Sequence, residues 1–404
     1  MADKSHVPRM LPIKTILEDH GVETACLIRM LRRSLGAGET VPGDEGVSLP
    51  SPDESRLSRL MIDHEVVNLA FRKGGLEDFR ADDARRSLQS SLRLRTSWNL
   101  VLFRETVSLS EHLRGRGVEV LFYKGLVLCD LLYGDLTTRP TRDVDILVRS
   151  VDFLRLRQEL LRMGFTEDYH FPLRHSRYYM GVNREAAFSR MLPDGLALNV
   201  EVQWAPVLPV YSVPYDNAPF FRSASTAEWG DARIPVPSLE DQFLLLLAHH
   251  GVSELWHSLK HVADLAFFLR ERGGELDWVR VCRRIGEWGM GRNAGVGFAL
   301  CRDLLGSEIP SGLHVSGDAA LLSRMRRRLL ADGPPSRDQI LPSNMLLQLR
   351  LTEGLTAKGR LLGGYLRKWV SPGLQDLERL RLPRLLFPLY YLLKPFRFLY
   401  LPRS

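Results

Sequence analysis

The spacing of apolar residues changes character twice along the chain. In the N-terminal part they recur every three or four positions, the period of one helix face. This predicts a helix over 13–35, a Gly- and Pro-containing loop over 36–52, and a second helix from Glu54 capped by Asp53. Helical spacing then runs, with breaks near Gly74-Gly75, to about Arg114, with Leu92, Trp98, Leu102, Val107 and Leu113 at roughly helical intervals. At Val118 the pattern becomes strand-like. An apolar run over 118–123 stops at Lys124-Gly125, a short helix is expected over 126–133, and a polar loop carrying Arg139 and Arg142 leads to a second strand over 143–148. After a helix over 151–163, two strand-like runs, 184–192 and 196–204, flank Pro193-Asp194-Gly195, a hairpin signal.

The stretch 206–237 is rich in proline and is expected to be irregular. Helical spacing returns at Ser238, where Ser238-Leu239-Glu240-Asp241 resembles a capping box. Helices are expected over 239–249, 255–271, 278–288, 295–305, 319–330 and 345–351. The domain organisation that follows is an N-terminal helix and loop (1–52), a helical region (53–114), a catalytic core (115–237) and a C-terminal helical domain (238–404) ending in a basic, aromatic tail.

Candidate chemistry concentrates where the period changes. Asp143 and Asp145 lie two apart on a strand, so their carboxylates point to one face. Two carboxylates that close repel unless a cation sits between them, and oxygen ligands in this arrangement suit Mg²⁺. Lys124-Gly125 stands at a strand-to-helix turn, where backbone N–H groups and a lysine charge favour phosphate oxygens. In the hairpin's second strand Asn199, Glu201 and Gln203 share a face, which makes Glu201 a candidate third carboxylate. Arg139 and Arg142 flank the aspartates and suit either phosphate contact or a structural ion pair. His257 and His261 are spaced like a metal pair but lack an H-E-x-x-H setting, and Lys260 and Asp264 are spaced for an ordinary i,i+4 ion pair.

Composition narrows the classes. A chain of 404 residues, 45% hydrophobic and 25% charged, is long enough for two or three domains. Its net charge of +7 permits a polyanionic or membrane-surface partner without requiring one. Cys26, Cys129, Cys282 and Cys301 show neither disulfide-framework nor zinc spacing, the N-terminus carries no apolar signal region, and no apolar run is long enough to span a bilayer. A cytoplasmic protein is expected, with no sequence-specific nucleic-acid module. The tail over 380–404 is too apolar and aromatic for disorder and is expected to pack on the helical domain, with peripheral contact to an anionic membrane as the alternative.

The order of motifs resembles the polymerase-β-like nucleotidyltransferase superfamily and, within it, a bacterial family of uncharacterised nucleotidyltransferases. The resemblance rests on Lys124-Gly125, Tyr133, Arg139 and the run Asp143-Val144-Asp145-Ile146-Leu147-Val148. It continues at Glu201-Val202-Gln203-Trp204, where Gln203 replaces the family's histidine. His250, Leu259-Lys260, Asp264, Asp277-Trp278, Ser371-Pro372, Asp376, Leu382-Pro383, Tyr390-Tyr391 and Lys394-Pro395 extend it over most of the chain from about residue 55. The resemblance implies an α+β fold, a small mixed sheet with flanking helices. It implies a Mg²⁺-dependent (or Mn²⁺-dependent) enzyme moving NMP from an NTP, expected to be ATP, to a hydroxyl-bearing acceptor, with a biosynthetic or polysaccharide role. Asp143, Asp145 and Glu201 would hold metal, Glu201 would also serve as base, and Lys124 and Gly125, with Arg139 and Arg142, would contact the nucleotide. The competing readings are a D-x-D glycosyltransferase using a nucleotide-sugar and a non-catalytic scaffold with the same fold.

Overall fold

In the computed structural model, the described residues are 10–36, 44, 46–169, 171–211, 213, 217–331, 341–394 and 396; the side chains of 341 and 342 lie outside them. Residue 395 and 397–404 of the tail lie outside the described residues, as does part of the 36–52 loop. The chain is α+β. Its elements are α1 (Ile13–His20), α2 (Val22–Ser34), α3 (Glu54–Asp63), α4 (Val67–Ala70), α5 (Asp82–Gly115), β1 (Leu121–Tyr123), α6 (Gly125–Tyr133), β2 (Val144–Leu147), α7 (Phe153–Arg162), β3 (Thr166–Glu167) and α8 (Ser176–Val182). There follow β4 (Glu185–Met191), β5 (Ala197–Gln203), α9 (Ala218–Arg222), β6 (Ser225–Trp229), β7 (Ala232–Val236) and α10 (Leu239–Leu246). The rest is helical: α11 (Leu259–Arg272), α12 (Trp278–Glu287), α13 (Gly291–Leu305), α14 (Ala319–Leu329), α15 (Leu341–Leu351), α16 (Leu355–Val370), α17 (Leu374–Leu380) and α18 (Leu389–Leu393).

These elements form two compact units, each stitched from three separated stretches. A helical unit comprises Met1–Phe103, Lys124–Arg142 and Gln242–Leu351; a sheet unit comprises Arg104–Tyr123, Asp143–Asp241 and Thr352–Ser404.

In the helical unit, Trp256, Phe243, Phe267, Phe268 and Phe298 are fully buried. Arg32 of α2 is buried among acceptors, with Nε donating to Leu304 O (2.8 Å), Nη2 to Leu11 O (2.7 Å) and Nη1 to Asp44 (2.6 Å). Buried guanidinium charge is tolerated because each donor direction is met. The expected 13–35 helix is two helices, because Gly21, at φ 85°, breaks it. Asp53 does cap α3, accepting from Ser55 N (2.9 Å) and Arg56 N (3.1 Å). The expected 239–249 helix passes into a π-helical turn over Leu247–Ser253, and the next helix starts at Leu259 instead of 255. Trp256 explains both. Its indole sits where a Cβ atom on Gly297 would lie, the Asn293 side chain fills the space over Gly251, and the indole donates to Asn293 O (3.2 Å). The backbone deforms to bury this ring, with Leu255 and Trp256 both at positive φ.

The sheet unit holds a five-stranded sheet in the order β1-β2-β5-β4-β3. It is mixed: β2 and β5 run parallel and the other neighbours antiparallel. The β4–β5 hairpin falls where Pro193-Asp194-Gly195 predicts it. One face is apolar: Phe122, Ile146 and Val202 stand in one register row, Val144, Val200 and Phe188 in the next. On the same side Trp204 packs against Phe153 of α7 (ring centroids 4.9 Å apart), with Phe171 beyond. The stretch 206–237 is not irregular throughout. It contains α9 and the β6–β7 hairpin, turned at Gly230, and Pro235 disguises its second strand. The tail, described through Lys394 and at Phe396, belongs to the sheet unit, where Lys394 Nζ ties it to Ser371 O at the end of α16 (2.8 Å) and to Asp376 of α17 (3.1 Å). Tyr390 is buried, its ring near His175 just before α8, and His175 Nε2 lies 3.2 Å from Leu382 O.

Candidate active site

The polar face of the sheet is built by alternation. With Val144, Ile146, Val200 and Val202 turned to the apolar side, Asp145, Glu201 and Gln203 must face the other way. Strand pairing then sets them side by side: Tyr123 opposes Asp145, and Asp145 opposes Glu201 across the parallel β2–β5 pair. Neighbouring strands lie about 4.8 Å apart, so the two carboxylates share one small area of the sheet. Asp143 lies one residue before β2, at a bend, and is half-buried; Asp145 is 6% exposed.

Gln203, fully buried, organises this face. Its Nε2 donates to Asp145 Oδ1 (3.2 Å) and to Glu201 Oε2 (3.1 Å), one amide spanning both carboxylates. Its Oε1 accepts from the Tyr123 hydroxyl. The end of β5 is held in turn by Asn217 Nδ2, which donates to Gln203 O (3.1 Å) and Val148 O (3.3 Å). Arg184 adds positive charge. Its Nε lies 2.9 Å from Glu185 Oε2, while its Nη1 is buried with no hydrogen-bond partner. Burial opposes the Arg184 charge, but Glu185, Tyr123 and Glu201 outweigh it and raise its pKa above the ordinary value.

The remaining sequence-predicted residues belong to the helical unit. Lys124 is 8% exposed and stands at φ 53°, ψ −143°, a region costly for any residue but glycine; Gly125 follows at φ 31° and opens α6. Strain of that kind collects at functional turns. Arg139 is engaged internally. Its Nε donates to both oxygens of Asp264 (3.1 and 3.0 Å) and its Nη1 to Gly125 O (3.2 Å). Arg142 pairs with Glu65, and so does Lys260, at 2.7 Å. Lys260 and Asp264 therefore take other partners than the expected i,i+4 pair. Asp264 instead accepts from Tyr133 Oη (3.0 Å) and His250 Nε2 (2.9 Å). Burial would raise its pKa, but Arg139 and His250 hold it well below the usual carboxylate range. His257 lies outside α11, and His261 stacks on His250 with centroids 4.4 Å apart.

The donor chemistry on the sheet suits a hard cation, since Mg²⁺ is held through one or two carboxylates plus substrate phosphates. Among the described residues, no group of three or more His, Cys, Asp or Glu side chains stands close enough together to hold a metal ion. The fit therefore rests on Asp145 and Glu201, already in register, rather than on a closed cage. Sequence reasoning placed Gln203 on the right face without a role. Tyr123 was visible only as the end of a strand, and Arg184 carried no signal at all.

Residues 50–306 match a protein-family model described as an uncharacterised nucleotidyltransferase. No curated protein matches the chain. Among solved structures it is similar to an antigenic nucleotidyltransferase-like protein from Paracoccidioides brasiliensis, at 16% identity over 52% of this chain and 94% of that one, with a TM-score of 0.30.

Proposed function

The chain belongs to the uncharacterised nucleotidyltransferase family, and from that premise we propose a Mg²⁺-dependent enzyme that moves NMP from an NTP, ATP first among candidates, to a hydroxyl-bearing acceptor. The observation that carries this reading is the pairing of Asp145 with Glu201 across β2 and β5, spanned by Gln203. Asp145 and Glu201 would hold the metal, with Asp143 at the bend before β2 as the further expected ligand, although the three do not stand together as a cage; the metal when bound supplies charge neutralisation for in-line displacement at phosphorus. Lys124 and the backbone at Gly125 would contact the phosphates. The acceptor oxygen bonds to the α-phosphorus, the α–β phosphoanhydride breaks, and pyrophosphate leaves with its electron pair. Glu201 accepts the acceptor's proton. Arg184, with its buried Nη1, adds a cation beside these carboxylates.

The test uses ATP labelled at the α or the γ phosphorus, incubated with Mg²⁺ and an extract of the producing organism. Label retained from the α position alone supports nucleotidyl transfer. Label retained from the γ position alone means phosphoryl transfer and overturns the assignment. One observation favours a second reading, a nucleotide-binding member without catalysis: the amide of Gln203 already spans the carboxylates. Calorimetric binding of Mg–ATP with no label transferred from either position supports that reading.

A further inference from the structure

Half of the exposed large apolar side chains of the described chain lie between residues 355 and 396: 11 of 22. Monomeric proteins seldom leave apolar surface so concentrated unless something covers it. In α16, Leu355, Leu362, Leu366 and Trp369 follow at intervals of seven, four and three, one continuous helical stripe. Yet Leu355 is 88% and Trp369 70% exposed, while Leu361 and Tyr365 of the same helix face the interior. The helix thus has a second apolar face with no described partner. Residues 385–392 repeat the pattern: Leu385 is 93% and Leu392 67% exposed, while Tyr390 is buried. The two stripes are tied together where Lys394 Nζ donates to Ser371 O (2.8 Å) at the end of α16 and to Asp376 (3.1 Å).

We propose that this surface, α16 together with residues 385–394 and Phe396, docks the protein on an anionic lipid bilayer as a peripheral membrane contact. Charge complementarity selects that occupant. The span 355–396 carries eight lysines and arginines against two acidic residues, and Asp376 is already paired with Lys394. Apolar stripes bordered by basic side chains, with Trp and Tyr at the margin, match the acyl and headgroup layers of one leaflet. Among the described residues no helix is long and apolar enough to cross a membrane, so the contact lies in the interface. A protein partner or a second copy would more readily meet an apolar surface with mixed charge at its rim.

The full chain is mixed with phosphatidylcholine vesicles, with and without phosphatidylglycerol, and floated on a density gradient. It floats with the anionic vesicles, not with the zwitterionic ones, and high salt weakens the binding. Leu366→Glu with Trp369→Glu, and separately Arg367→Glu with Lys368→Glu, each reduce binding at least tenfold, with melting curves unchanged because all four positions are exposed. If the first pair disturbs folding, brominated lipid replaces it as the probe: quenching present in the wild type and reduced in Trp369→Phe supports the contact. Absence of flotation, flotation unchanged by both double substitutions, or self-association that Leu366→Glu abolishes without any flotation each overturns the proposal.

Discussion

The Asp264 cluster of the helical unit and the Asp145–Glu201 pair of the sheet unit surround their carboxylates differently. In the helical unit Asp264 is enclosed by complementary partners: the Arg139 guanidinium, the Tyr133 hydroxyl and the His250 imidazole. Glu65 is met by Lys260 and Arg142 in the same manner, and although burial alone would raise its pKa, these cations lower it to about 2. In the sheet unit, Asp145 and Glu201 are like charges set side by side and bridged by a neutral amide. The first arrangement satisfies its charges and is architecture, for removing either partner strands the other in a poor solvent. The second gives two carboxylates one shared neutral amide, with Arg184 as a nearby cation, a donor set to which a cationic ligand could add.

The sharpest way to break this contrast is to delete one carboxylate from each unit. Asp264→Ala leaves Arg139 buried without its partner and should cost about 3–5 kcal/mol in urea unfolding. Asp145→Ala should cost about 1 kcal/mol, because it removes a hydrogen bond from a neutral amide that Glu201 still holds. Equal destabilisation by the two would erase the distinction. Activity should sort them in the reverse sense. Asp145→Asn and Glu201→Gln should lower NMP transfer by about 10²–10³-fold with the melting temperature nearly unchanged; variants as active as wild type would remove the sheet carboxylates from the chemistry.

Acid should find the helical unit first. His64 is 1% exposed, and burial, aided by His257, lowers its pKa to about 4. The folded value lies below the unfolded value of 6.5, so the unfolded chain binds the proton more readily. Stability from neutral His64 is complete above pH 6.5 and is lost as pH falls toward 4, by up to about 3 kcal/mol. His250 and His261, also lowered by burial, add in the same direction. Denaturant midpoints at pH 7 and pH 5 for wild type and His64→Gln test this; an identical pH slope in both would refute it. Tyr123→Phe removes one hydrogen bond to Gln203 and should have a modest cost, about 0.5–1.5 kcal/mol. A loss of transfer larger than that of Glu201→Gln would instead make Tyr123 a direct participant.

The sequence by itself determined the local features of the site. Alternation assigned Glu201 and Gln203 to one strand face, a turn signature placed the β4–β5 hairpin, and a carboxylate at a helix start identified the Asp53 cap. These depend on neighbours within a few residues, where the period of side chains leaves few options. The tertiary structure decided what requires partners far along the chain. The parallel pairing of β2 with β5 puts Asp145 opposite Glu201, which are 56 positions apart in sequence. Arg139, distant in sequence, claims the Asp264 carboxylate that local spacing offered to its fourth neighbour Lys260. Trp256, in the turn between the π-helical segment and α11, reaches the space over Gly297. In each case burial of a charge or a large ring outweighs the local preference, because an unsatisfied charge or an unfilled core costs several kcal/mol and helix propensity only tenths per residue.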